Sequence, residues 1–145
     1  SGGAFDEVQL QAILHSVLHD RYFILEPGYC GDQLIIRDIG HNYRFFDAAW
    51  RARARGNRIE EMPDFCYGTW VADAYRRVLG AGEPQIDRIE AILDMAGAGL
   101  SRVRYTRVIV PFMTTDRRRL VLSTSAVHDI VEHVDGPGEY LGQVR

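Results

Sequence analysis

Beyond Gly82-Glu83-Pro84 the chain reads as one strand after another, and that run limits the possible folds more than any other feature. Gln85 to Leu93 is strand-like, although Ile86, Arg88 and Glu90 set against Asp87, Ile89 and Ala91 give no clean apolar face. Ala96-Gly97-Ala98-Gly99 reads as a loose turn, Arg102 to Met113 as a long strand, and Thr114-Thr115-Asp116-Arg117-Arg118 as a hairpin turn. Arg119 to Val127 alternates well. Leu120, Leu122, Thr124 and Ala126 face one way, and Val121, Ser123, Ser125 and Val127 the other.

The first half has a different texture. Residues 5–19 carry Leu10, Ile13, Leu14, Val17 and Leu18 at helical spacing, with Asp6, Glu7, Gln9 and Gln11 as polar counterparts. Glu26 to Gly31 reads as a loop, with one Pro and two Gly. Gln33 to Gly40 is Ile-rich and strand-like. His41-Asn42 then serves as a turn into a second strand, Tyr43 to Phe46, and the two are expected to pair as a hairpin. Asp47 can cap a helix over Ala48 to Arg55, ended by Gly56-Asn57. The i, i+4 sets Trp70, Ala74, Val78 and Val71, Tyr75, Leu79 predict a longer helix over Tyr67 to Leu79. Two strands, a helical excursion and three more strands exclude a doubly wound parallel sheet, which needs regular strand–helix alternation. The expected fold is α+β: a five-stranded antiparallel sheet with helices packed on one face and an amphipathic helix at the N-terminus.

The chain's 145 residues fit one domain. Residues 1–29 read as a tag remnant (Ser1-Gly2-Gly3), the amphipathic helix and a connector; residues 30–133 as the domain; residues 134–145 as a tail. Hydrophobic residues at 46% and charged residues at 26% are the balance of a soluble globular domain. No apolar run approaches the ~20 residues of a membrane span. A net charge of -3 gives no general pull towards nucleic acid or an anionic membrane, so neither is expected as a partner. The local arginine clusters, Arg51, Arg53, Arg55 and Arg58, and Arg117 to Arg119, read as a solvated helix face and a hairpin tip, or else as patches for an acidic partner. The two cysteines, Cys30 and Cys66, match no metal spacing or disulfide framework, so a reducing, cytoplasmic location is the default.

Catalytic motifs are scarce. No Gly-x-Ser-x-Gly, His-Glu-x-x-His or phosphate loop occurs. Ser123 and Ser125 have no His–Asp pattern nearby and read as sheet residues able to line a pocket. His15 and His19 lie four apart on the first helix and so share a face, but two imidazoles alone do not make a firm metal site and no metal is expected. Asp38, Asp47 and Asp87 lie near strand ends and are the candidate bases should the chain be a small α+β enzyme.

Several segments resemble a known family. Leu34 to Ile39 followed by Tyr43 to Trp50, Met62 to Val71 followed by Tyr75 to Leu79, Gly82-Glu83-Pro84, and the closing pair Tyr105 to Phe112 and Leu120 to Ser125 resemble the PAS domain, in particular a divergent group common in alphaproteobacteria. The match covers about residues 30 to 128 and rests on element order plus these short segments. The resemblance implies a sensory or regulatory module that is not an enzyme. Such a module binds a small ligand between sheet and long helix, or binds none and dimerises, and passes its signal through flanking helices to an output domain or partner protein. A ligand-free scaffold for protein contact is the remaining alternative.

The cofactor is left unknown. The long helix has no histidine to ligate haem and offers only Tyr75, which reads more simply as a core residue. Cys66 lies in Asp64-Phe65-Cys66-Tyr67 rather than the Asn-Cys-Arg of flavin–thiol photoreceptors, and so reads as a small buried apolar residue. The aromatic residues gathered at Tyr43, Phe45, Trp50, Phe65, Trp70 and Tyr75 make either a filled core or the walls of a ligand cavity, with Ser123 and Ser125 beside them. Arg107 is the polar residue of most interest there. Facing outward, it is a surface residue; facing inward, it must be paired or must hold an anion such as a carboxylate or phosphate. The stripe Leu10, Ile13, Leu14 and Val17 is the candidate homodimer contact.

Overall fold

The computed structural model describes residues 6–30, 32–43, 45–94, 99–131 and 140–144, the last five as backbone. Helix α1 (Glu7–Ser16) leads into strands β1 (Phe23–Pro27) and β2 (Leu34–Ile39). The helical excursion holds α2 (Ala48–Arg53), a 3-10 turn (Ile59–Glu61) and α3 (Phe65–Ala81). Strands β3 (Gln85–Asp94), β4 (Leu100–Met113), β5 (Arg119–Val131) and β6 (Tyr140–Val144) follow. All pair antiparallel in one sheet of order β2-β1-β5-β4-β3-β6. The α+β class and the antiparallel sheet expected from the sequence are therefore present.

The helices divide between the two faces. Helices α2 and α3 roof the inner face, where Phe23, Leu25, Leu34, Ile36, Tyr105, Ile109 and Val121 meet Trp50, Val71, Tyr75 and Val78 in the main core. Helix α1 lies on the outer face, and its Leu10 and Leu14 pack with Tyr22, Ile24 and Leu120. Each helix starts on an aspartate. Asp6, Asp47 and Asp64 accept from the backbone N–H groups of Gln9, Trp50 and Tyr67, satisfying donors the first turn leaves open. Gly82 closes α3 at φ 72°, a left-handed value suited to glycine.

The structure corrects four sequence expectations. Tyr43 to Phe46 is not a strand. Phe46 has φ 66°, and the described residues of the segment cross the inner face with Tyr43, Phe45 and Phe46 all buried. The aromatic pattern there records burial under the helices rather than a pleat. The partner of β2 is instead β1, so the loop placed over Glu26 to Gly31 begins two residues too early and the sheet reaches upstream of residue 30. The free edge of β2 is closed by the chain after α2: the Ile36 N–H donates to the Asn57 carbonyl at 2.8 Å, and the Gly56 N–H to the Ile36 carbonyl at 2.8 Å.

The third correction concerns α1. It ends at Ser16, and His19 sits beyond it at φ 52°, so His15 and His19 do not share a helix face. His15 and His41 instead both approach Asp20, at 3.0 and 3.4 Å. The fourth is Cys66, which is exposed rather than buried, as is Cys30; both are free thiols. The loose turn at Ala96–Ala98 and the start of the tail lie outside the described residues, while Tyr140–Val144 extends the sheet beside β3. No helix among the described residues is long and apolar enough to cross a membrane.

Candidate functional site

The inner face holds a charged row inside an aromatic core. Register places Asp87 of β3 opposite Arg107 of β4, and Arg107 opposite Ser125 of β5. Side chains that face each other across neighbouring strands share a face, so all three point towards the helices. Arg107 is 1% exposed and Asp87 0%. Arg107 thus faces inward, and its partner is a residue of its own chain. Its Nη2 donates to Asp87 Oδ2 at 2.7 Å, and Gln85 Nε2 donates to the same oxygen at 2.7 Å.

That pairing covers only part of the guanidinium. Arg107 Nε and Nη1 are buried and donate to no acceptor among the described residues. In place of acceptors they have ring faces: the guanidinium carbon lies 5.6 Å from the Trp70 ring centroid and 5.8 Å from that of Tyr75. A cation over an aromatic face recovers part of the hydration lost on burial. Burial by itself would lower the Arg107 pKa, but Tyr75, Tyr105 and the bond to Asp87 outweigh it and hold the side chain charged.

Around the pair stands a group of tyrosines. The Tyr67 and Tyr105 hydroxyls share a hydrogen bond of 2.5 Å. Phe45 meets Tyr105 edge-on at 5.0 Å, and Tyr43 lies 5.4 Å from both Phe23 and Phe45. Burial, the largest cause, raises the pKa of Tyr43, Tyr67 and Tyr105, so these phenols are neutral donors throughout the physiological range.

A cavity of about 320 Å³ opens next to this sealed region. Its inner wall is Tyr43 and Phe45, its floor is Ser125, Val127 and Ile130 of β5, and its rim is Arg21 and Asn42. The cavity follows from unequal strand lengths. β1 begins at Phe23, opposite Ser123, whereas β5 runs on to Val131 with β4 as its one neighbour among the described strands. Upstream of β1 the chain turns off through His19 and Asp20, both at positive φ, and Asn42 ties that turn to the inner segment by donating to the His19 carbonyl at 2.8 Å. The notch left beside β5 is the cavity.

The expected pocket residues therefore separate. Tyr43, Phe45 and Ser125 line the cavity. Trp70, Tyr75 and Arg107 belong to the sealed part behind it, and Ser123 is buried between Phe23 and Ile109 on its neighbouring strands. Trp50 packs against Phe46 in the core at 5.0 Å. Phe65, at 66% exposure, points to solvent and does not line this cavity; it is the first residue of α3, ahead of the buried stripe. The sequence marks none of Arg21, Asn42, Val127 and Ile130 as a pocket residue. Only the mismatch in strand lengths brings them together, and β1 itself carried no recognised signal.

The candidate bases have other roles. Asp38 accepts from the Tyr22 hydroxyl at 2.7 Å and pairs with Arg55. Asp47 caps α2, and Asp87 is the counter-ion of Arg107. Of the proposed dimer stripe, Leu10 and Leu14 are buried against the chain's own sheet and are closed to a second subunit, while Val17 is 64% exposed and Ile13 half-buried. No family model matches the chain, and no curated protein does.

Proposed function

We propose that the chain is a non-catalytic sensory or regulatory domain of the PAS type, which binds a small molecule in the inner-face cavity and relays its presence to a partner. One observation carries this reading: a cavity of about 320 Å³, walled by Tyr43 and Phe45 and floored by β5, cut into the helix-covered face of an antiparallel sheet. That volume is at the lower end of the ~300–1,000 Å³ of small-molecule pockets. The order of two strands, a helical excursion and then β3, β4 and β5, to which β6 is added beside β3, supports the same reading.

The relay runs through β5. Ser125 and Val127 face the cavity, while Leu120 and Leu122 of the same strand pack beneath α1 on the opposite face. Thr124 ties the two by donating from its hydroxyl to the Arg21 carbonyl at 2.7 Å. A ligand that shifts β5 thereby shifts the seat of α1, whose exposed Val8 and Val17 are left for a second subunit or an output protein. Mass spectrometry of the purified protein, native and after denaturing extraction, tests the reading. A stoichiometric copurified small molecule, or a screened compound that raises Tm and is displaced by filling the cavity with Val127→Trp, is the expected result. An empty protein that no compound stabilises favours a ligand-free scaffold.

A further inference from the structure

Resting on the proposed ligand-binding role, the geometry points to the class of ligand: we infer that the cavity takes a small organic monoanion, its acid group held by Arg21 at the rim and its apolar body against Phe45, Val127 and Ile130. The alternative anchor is Arg107, and it is already occupied. Its charge is matched by Asp87 at 2.7 Å, so a second anion there would leave net negative charge in a buried site. Arg21 differs on each count. It is exposed, lines the cavity, and has no acidic partner among the described residues. Asp20, its neighbour in sequence, is directed at His15 and His41.

A second feature favours an anion at the same place. From Ser125 onward the β1-facing edge of β5 has no strand beside it among the described residues, and Ser125, Val127 and Ile130 of this stretch line the cavity. Outward-pointing N–H groups of such an edge are donors for a carboxylate, as is the Ser125 hydroxyl. The remaining wall, Phe45, Val127 and Ile130, is apolar and suits a ring or an aliphatic chain as the body of the ligand. Arg21 also donates its backbone N–H to the Leu18 carbonyl just past α1, so an acid drawing on its side chain acts where α1 meets the sheet.

The test is protein-observed NMR titration with benzoate and hexanoate, each against its uncharged amide, benzamide or hexanamide, on the full chain and on Arg21→Gln, Arg21→Lys and Val127→Trp. The acids are expected to bind saturably, with shifts centred on Ser125 and Val127. Arg21→Gln should weaken them about tenfold, the loss of one charge-assisted hydrogen bond, and Arg21→Lys should restore part of it. Val127→Trp should abolish binding. Amides that bind as well as the acids, or acid binding indifferent to Arg21→Gln, would overturn the anion assignment and leave the ligand-binding role intact. Absence of binding by acids and amides alike, in a protein that copurifies with some other molecule, would also overturn it.

Discussion

Arg107 and Asp87 stand directly opposite each other on β4 and β3, joined by a 2.7 Å charge-assisted hydrogen bond with neither side chain reaching solvent. Two ions removed from water together are tolerable; one alone is not. Asp87→Asn or Arg107→Met should each lower unfolding free energy by about 3–5 kcal/mol, because each strands a buried charge or its polar partner. The double variant Asp87→Leu/Arg107→Met should lose much less than the two single losses combined. Urea unfolding of the four proteins completes the cycle. Near-additive losses would mean that the two residues act independently.

The buried tyrosines make a prediction about alkaline pH. Tyr22, Tyr43, Tyr67 and Tyr105 all have folded-state pKa values raised above 10, burial being the main cause. An unfolded chain releases these protons near pH ~10 while the folded chain retains them. Stability should therefore be unaffected by these groups at neutral pH and should fall as pH rises past about 10, by about 1.4 kcal/mol per pH unit for each tyrosine. Tyrosinate absorbance should show these four phenols ionising only together with loss of structure. Their smooth titration in a chain that stays folded would contradict the burial described here.

How much of this was legible in the sequence depended on whether a pattern had one cause. Leu120 to Val127 alternates because one face meets the core and the other α1, and β5 was read correctly there. Gln85 to Leu93 looked patternless because its first fully buried residue is Asp87 while the exposed Ile86 points out. The clean inward set Asp87, Ile89, Ala91 and Leu93 appears only once a buried ion pair is admitted. Tyr43 to Phe46 misled in the opposite sense, since its rings are all buried by an irregular crossing. The inward direction of Arg107 could not be decided from β4 alone, because its counter-ion lies 20 residues away on another strand. The cavity was legible only in part. Its aromatic wall could be anticipated, but the shortness of β1 that opens it could not.

The two glycines at the end of α3 should respond to alanine with opposite signs. Gly80 is helical, and a Cβ there would meet nothing within 4 Å. Gly80→Ala should stabilise by about 0.5–1 kcal/mol, by restricting the unfolded backbone and adding helix propensity. Gly82 holds φ 72° at the cap, and Gly82→Ala should destabilise by about 1–2 kcal/mol although the space there is equally open. Thermal unfolding of the pair separates backbone conformation from packing. Equal shifts would show that the left-handed cap does not form.

Gly40 tests the junction on which the cavity rim depends. Its backbone N–H donates to the Tyr22 carbonyl at 2.9 Å, and a Cβ would fall 2.0 Å from the Asp20 carbonyl oxygen and 2.7 Å from the Tyr22 ring. The obstacle is mostly backbone, which cannot swing aside as a flexible side chain does. Gly40→Ala should therefore cost about 3 kcal/mol or more, beyond a typical small-to-large change. The damage should also be directional. Asp20 and Arg21 would be pushed away from β2, so any ligand held at the rim should weaken in this variant by more than the loss of folded protein accounts for. Hydrogen exchange on the folded fraction reads the same displacement as faster exchange at Asn42, whose N–H donates to the Asp20 carbonyl at 3.0 Å. Protection at Asn42 equal to that of the parent protein would show that the rim does not depend on this close approach.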